Sequence, residues 1–206
     1  MTFRIFAALV LAATPAAALD PSFDCSKAES GGEKAVCASD ALASMDLELA
    51  RLYKLAAEGP NISADRLNEL KAMQRGWIKG RDDCWKAEDS EAACVAREYA
   101  FRIDALRTGY ADARAEEGAS VGPFAYVCEG LDAAVSATFV NTMAPMAVLR
   151  WNSDAAALPQ VPAASGARYE AEGGYLGHVL FWTRGDEAVM QVGAGPEMAC
   201  VQDDIG

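Results

Sequence analysis

Two domains are predicted, a small disulfide-stapled α-helical bundle followed by a small antiparallel β-barrel. Three observations carry this. Apolar residues recur at helical spacing from Asp20 to about Tyr110, and after Pro123 they fall into short alternating runs broken by Gly, Pro and Asn. The six cysteines divide four to two between these halves. The whole, 206 residues at 52% hydrophobic and 23% charged, has the composition of a folding chain, with a length that suits one domain or two small ones. A formal charge of -12 excludes a nucleic-acid binder driven by phosphate contacts, which needs a basic face.

The first 18 residues, MTFRIFAALVLAATPAAA, combine Arg4, an apolar run from Ile5 to Ala13, a Thr14-Pro15 break and the small residues Ala16 to Ala18. That is the pattern of a secretory signal ending near Ala18. The apolar run is too short to span a bilayer, and Cys25 lacks an adjacent small-residue lipobox. A soluble periplasmic or secreted protein without a membrane anchor is expected. Residues 19–206 then carry 17 basic and 30 acidic side chains, a net of -13, so a macromolecular partner should be cationic. In an exported chain, an even number of cysteines favours disulfides. With no CxxC pair and a lone His178, neither a metal nor a cofactor is expected.

In the segment 19–110, Leu42, Met45, Leu49, Leu52, Tyr53 and Ala56 form one helical face behind a cap at Ser39, and Gly59-Pro60-Asn61 ends the run. A second helix uses Leu67, Leu70, Met73, Gln74, Trp77 and Ile78 behind Ser63. A third uses Val95, Tyr99, Arg102, Ile103 and Leu106 behind Ser90. Three helices with short connections make a bundle. If the first two are antiparallel, Cys37 and Cys84 meet at one end, flanked by Cys25 and Cys94. That favours Cys37 with Cys84 and Cys25 with Cys94, although the residues alone leave all three pairings open. Residues 111–121 carry several charges and no sustained periodicity, as a helix tail or exposed linker would.

In the segment 122–206, Phe124, Tyr126 and Cys128 alternate, then the turn Glu129-Gly130-Leu131-Asp132 leads into Val135, Ala137 and Phe139, a hairpin with one buried face. Further strands are predicted at Met146 to Trp151, Ala167 to Ala171, Tyr175 to Trp182 and Ala188 to Val192. Asn152-Ser153, Gly173-Gly174 and Arg184-Gly185-Asp186 supply turns. Short strands at this spacing imply a barrel or sandwich that Cys128 and Cys200 would close.

The helical half resembles the LprI-like N-terminal domain family through CSKAESGGEKAVCASDALASMDLELARLY, LKAMQRGWIKGRDDC and CVAREYAFRIDAL. The matching positions include the four cysteines, Asp46, Tyr53, Gln74, Trp77, Arg81, Tyr99 and Arg102, and they are mostly architectural. Some members of that family are linked to lysozyme inhibition. Two elements of the second half, Ser165-Gly166-Ala167-Arg168-Tyr169 and Phe181-Trp182-Thr183-Arg184-Gly185-Asp186, resemble the two motifs of the MliC/PliC family of inhibitors of c-type lysozyme. The first follows an S-G-x-x-Y pattern at Ser165, Gly166 and Tyr169. The second follows T-K-G at Thr183, Arg184 and Gly185, with Arg in place of Lys.

This resemblance implies that the Ser165 loop enters the lysozyme cleft and meets its two catalytic carboxyl groups. Arg184 would add the cation, and Tyr169 would serve as buttress or contact. Charge agrees with a basic lysozyme as partner, since residues 122–206 carry 3 basic against 10 acidic side chains. On the same reading, residues 122–206 alone should inhibit. The plainer alternatives are an ordinary strand turn at Ser165-Gly166, a solvated hairpin tip at Arg184, and core or cross-strand roles for Tyr169, Phe181 and Trp182. An enzyme is not expected: G-x-S-x-G, H-E-x-x-H and P-loop signatures are missing, and the cysteines are expected to be oxidised. The rival to inhibition is a cell-envelope binding or structural module that keeps the fold.

Overall fold

The computed structural model describes residues 18–203. The leader reading, residues 1–18, lies outside the described residues except for Ala18. Five helices precede eight strands: α1 (Gly31–Cys37), α2 (Asp40–Glu58), α3 (Ala64–Asp82), α4 (Glu91–Gly109) and α5 (Ala111–Ala115), with 3-10 turns at Cys25–Lys27 and Cys84–Lys86. The three long helices begin where the serines foretell. The Ser39, Ser63 and Ser90 side chains accept from the backbone N–H of Leu42, Arg66 and Ala93, satisfying first-turn donors that otherwise have no partner.

Two expectations for this half need correction. A short helix, α1, precedes the three, opened by a capping box in which Ser30 and Glu33 bond each other's backbone N–H. It folds Cys37 back onto Cys25, so the disulfides are the local pairs Cys25–Cys37 and Cys84–Cys94, with Cα separations of 5.8 and 5.6 Å, and not the favoured Cys37–Cys84 and Cys25–Cys94. Each staples one turn of chain within the helical half. Closing loops this short contributes about 3 kcal/mol apiece in the chain-entropy model.

The strands β1 (Ser120–Cys128), β2 (Ala134–Val140), β3 (Met146–Trp151), β4 (Asp154–Val161), β5 (Ala167–Ala171), β6 (Val179–Arg184), β7 (Glu187–Val192) and β8 (Met198–Asp203) form a closed antiparallel barrel in sequence order. Closure leaves no free sheet edge. Cys128 and Cys200 face each other across the β1–β8 seam and are bonded. Alternating residues fill the interior: Tyr126, Leu149, Leu158, Tyr169, Phe181 and Met190 are buried there, with Phe181 edge-on to Tyr126 at 5.2 Å.

Strand β4 was not foreseen. Its sequence, DAAALPQV, has little amphipathic contrast and contains Pro159, which lies opposite Met146 near the open end of the β3–β4 pair. The run read as Tyr175 to Trp182 begins only at Val179. Gly173, Gly174 and Gly177 take positive φ, and Tyr175 swings out to bond Asp154.

The halves are packed together. Outward-facing Val140, Met146, Val148 and Ala157 of β2, β3 and β4 belong to the apolar core of the helices, which reach the barrel chiefly through α4. Polar contacts fix this seam. Asp104 of α4, whose carboxylate is 1% exposed, accepts from Thr138 Oγ1 at 2.7 Å and Arg150 Nε at 2.6 Å. Glu48 of α2 accepts from Arg51 twice and from the buried Ser120 hydroxyl of β1, and Arg107 donates to the Gly122 carbonyl at 2.8 Å. The stretch 111–121 is thereby held against the helices by α5 and the start of β1.

Candidate functional site

Both sequence motifs lie at one rim of the barrel. Strands β5 and β6 pair with Ala167 opposite Thr183, so the loop entering β5 (residues 162–166) sits beside the β6–β7 hairpin tip (residues 184–187). Gly166 makes the contact. Its φ is +67°, and a Cβ there would stand 2.1 Å from the Thr183 carbonyl oxygen and 2.9 Å from Arg184 Cγ. Only glycine combines that conformation with that approach. Gly185 also has positive φ, +63°, but faces open space, so its demand is conformational alone.

Ser165 is exposed, and the loop is anchored by its carbonyl, which accepts a 2.8 Å hydrogen bond from Trp182 Nε1. Trp182 points out of the barrel. The Arg184 guanidinium stacks on its ring at 3.8 Å from the centroid, and Arg168 approaches the same ring at 5.8 Å. A planar cation suits this seat, because a guanidinium can lie flat on an indole where an ammonium cannot. Thr183 Oγ1 reaches the Ala167 carbonyl at 3.4 Å, a long bond across the same strand pair. The rim therefore presents a hydroxyl and a stacked cation side by side, held from beneath by one tryptophan.

Tyr169, the third residue of the first motif, is 4% exposed and packs inside the barrel with its ring 5.6 Å from Phe139. Burial pushes its hydroxyl pKa up, with Tyr126 adding to the rise. Its place is under the loop and not on the rim. Phe181 is fully buried, as its core reading had it. The sequence gives Trp182 only a core or cross-strand role, whereas the structure has it join the two motifs. The available signal was parity: with Phe181 inward, Trp182 and Arg184 share the outer face.

Below the rim, Glu170 pairs with His178 Nε2 at 2.8 Å and with Arg168 Nε at 3.0 Å, while Glu172 lies 3.8 Å from His178. The bonds from His178 and then Arg168 hold the Glu170 carboxyl below the usual carboxylate range. Among the described residues, Glu170, Glu172 and His178 bring three potential metal-ligand atoms within 4.8 Å of one another. Both Glu170 oxygens already have a partner, His178 at Oε1 and Arg168 at Oε2, so the cluster reads as a hydrogen-bonded network around the chain's one histidine. No helix is long and apolar enough to cross a membrane among the described residues.

Comparison with known proteins covers both halves. Residues 126–198 match the family described as membrane-bound lysozyme-inhibitor of c-type lysozyme, and residues 25–117 match the family described as lysozyme inhibitor LprI. Among curated proteins, lipoprotein LprI of Mycobacterium tuberculosis and of Mycobacterium bovis are each 31% identical over 155 residues, which is 74% of this chain and 72% of theirs. No solved structure matches. Helical half and long-range similarity point the same way, and the barrel matches the MliC model over residues 126–198: the chain belongs to the LprI family of lysozyme inhibitors.

Proposed function

We propose that this protein acts in the periplasm or after secretion as an inhibitor of c-type lysozyme, and that it blocks the active-site cleft with the Ser165 loop and the Arg184 hairpin. The observation that supports this most is the meeting of the two motifs on one rim, through Gly166 against Thr183 and Trp182 against Ser165. The antiparallel β5–β6 pairing brings them to the same end of the barrel, where one partner can touch both.

A retaining glycosidase holds two carboxyl groups about 5 Å apart, one protonated and one ionised. A hydroxyl donates and accepts, so Ser165 can satisfy either group whatever its protonation state. Arg184 would pair with the ionised carboxylate, and a charge-assisted bond in a cleft closed to water is about twice as strong as a neutral one. Tyr169 supports the loop from inside. Inhibition would follow from occupancy, with no bond made or broken. The acidic barrel half would speed encounter with a basic lysozyme more than it deepens affinity.

Residual lytic activity of a c-type lysozyme, titrated with the oxidised protein beside g-type and i-type enzymes, tests this reading. Stoichiometric loss for the c-type enzyme alone is expected. A protein that leaves all three active would instead be a non-inhibitory envelope module.

A further inference from the structure

The helices cover only one side of the barrel. Among the described residues they reach β1, β2, β3 and β4, chiefly through α4, and the outer faces of β6, β7 and β8 near the rim stay exposed at Arg184, Glu187 and Val201. Strand register shows what that face presents. One rung runs Arg168, Trp182, Val189, Ala199, and the next runs Arg184, Glu187, Val201, Val127. Val201 and Val127 are 56% and 54% exposed and stand side by side on this rung. A shallow groove of about 300 Å³ crosses this face between Trp182, Val189 and Val201, bordered by Glu187 and Glu197. Neither carboxylate has an ion-pair partner among the described residues.

We infer that this flank is a second part of the partner-binding surface: it lies against the basic wall beside the lysozyme cleft while the rim occupies the cleft itself. The inference rests on the cleft-plug reading and extends it. The arrangement has the anatomy of a protein interface, an aromatic and aliphatic centre with a charged border. Besides Arg184 the border carries Glu187 and Glu197, which with the chain's net charge favours a cationic surface over a second copy of this acidic chain. Continuity matters as well, because Trp182 and Arg184 belong both to the rim and to the two rungs.

The test is the affinity of the full oxidised protein for a c-type lysozyme, measured with on- and off-rates at low and moderate salt for Val201→Asp and for the double variant Glu187→Lys/Glu197→Lys. Ser165→Ala and Arg184→Ala are run alongside. All three flank positions are exposed, and thermal melts check that folding is retained. Val201→Asp is expected to weaken binding about tenfold or more, mainly by faster dissociation. The charge reversal is expected to slow association, with the deficit shrinking as salt rises. If Ser165→Ala and Arg184→Ala weaken binding while both flank variants bind as the parent does, the flank is not contacted and the plug stands alone. If no variant weakens binding, the plug reading fails with it. A dimer that Val201→Asp disperses without changing inhibition would give the flank to a second copy and overturn the proposal.

Discussion

Arg184 is the residue on which sequence and structure differ most usefully. As an Arg where the MliC motif has Lys, it departs from pattern, yet the structure gives its guanidinium a seat on Trp182 that a lysine could not fill in the same way. Replacing it by Ala should cost roughly 2 to 5 kcal/mol of binding if the cation meets a buried carboxylate, read as the shift in inhibition constant. Ser165→Ala should cost less, because a neutral hydroxyl bond is worth about 1 kcal/mol. Gly166→Ala probes the rim differently: φ is +67° and the added carbon would strike a carbonyl, so a strain of about 1 to 3 kcal/mol should lower the melting temperature and impair inhibition together. Substitution at Gly185, whose Cβ would meet nothing, should affect the turn more mildly.

Elements explain why those residues stand where they do. The β5–β6 register brings the loop to the hairpin, and the Trp182 indole N–H ties the loop down. Trp182→Phe keeps a ring for Arg184 but removes the donor. The Ser165 loop should then show faster amide exchange while the barrel's protection is unchanged. A helix cap and a strand-face carboxylate contribute a pH dependence. The Glu33 carboxylate of the capping box accepts from the backbone N–H of Glu29 and Ser30, which lowers its pKa, and Glu170 is lowered by His178 and Arg168. Groups with a depressed folded pKa stabilise above the ordinary Glu value of 4.5 and lose that contribution as pH falls through the lowered value. Stability by thermal melt should therefore fall on acidification below about pH 4.5, less steeply in Glu33→Gln and Glu170→Gln.

At this scale the sequence was readable where its periodicity was strong. The three serine-capped helices and the strands at 146–151 and 167–171 follow directly from spacing and turn residues. Strand β4 was illegible because four small or ring-constrained residues mute its alternation. Helix α1 is only seven residues long, too short for a periodic signal, and missing it made the crossed disulfide pairing look reasonable. The motif residues were legible through resemblance. Their convergence was not, because register across β5 and β6 is a long-range fact that no local pattern states.

The whole molecule behaves as two folds sharing one seam. Asp104 holds β2 and β3 through Thr138 and Arg150, and Val140, Met146, Val148 and Ala157 complete the helical core. Asp104→Ala leaves the buried Thr138 hydroxyl unpaired while Arg150 stays half in solvent, so a cost of about 1 to 3 kcal/mol is expected, seen in calorimetry as one transition moved down. This changes the expectation for the isolated barrel. A cut at residue 122 removes Ser120 and Val121 from β1 and uncovers the apolar face of β2, β3 and β4, so the fragment should self-associate unless that face is made polar.

The helical half therefore has a definite physical role whether or not it touches a partner: it covers one side of the barrel and leaves the other, with its rim, exposed. The measurement that tests the central claim most directly is inhibition of a c-type lysozyme by the intact oxidised protein and by the Ser165→Ala/Arg184→Ala double variant at matched stability. Stoichiometric inhibition by the first and its loss in the second is the result this account predicts. Equal inhibition by both would contradict it.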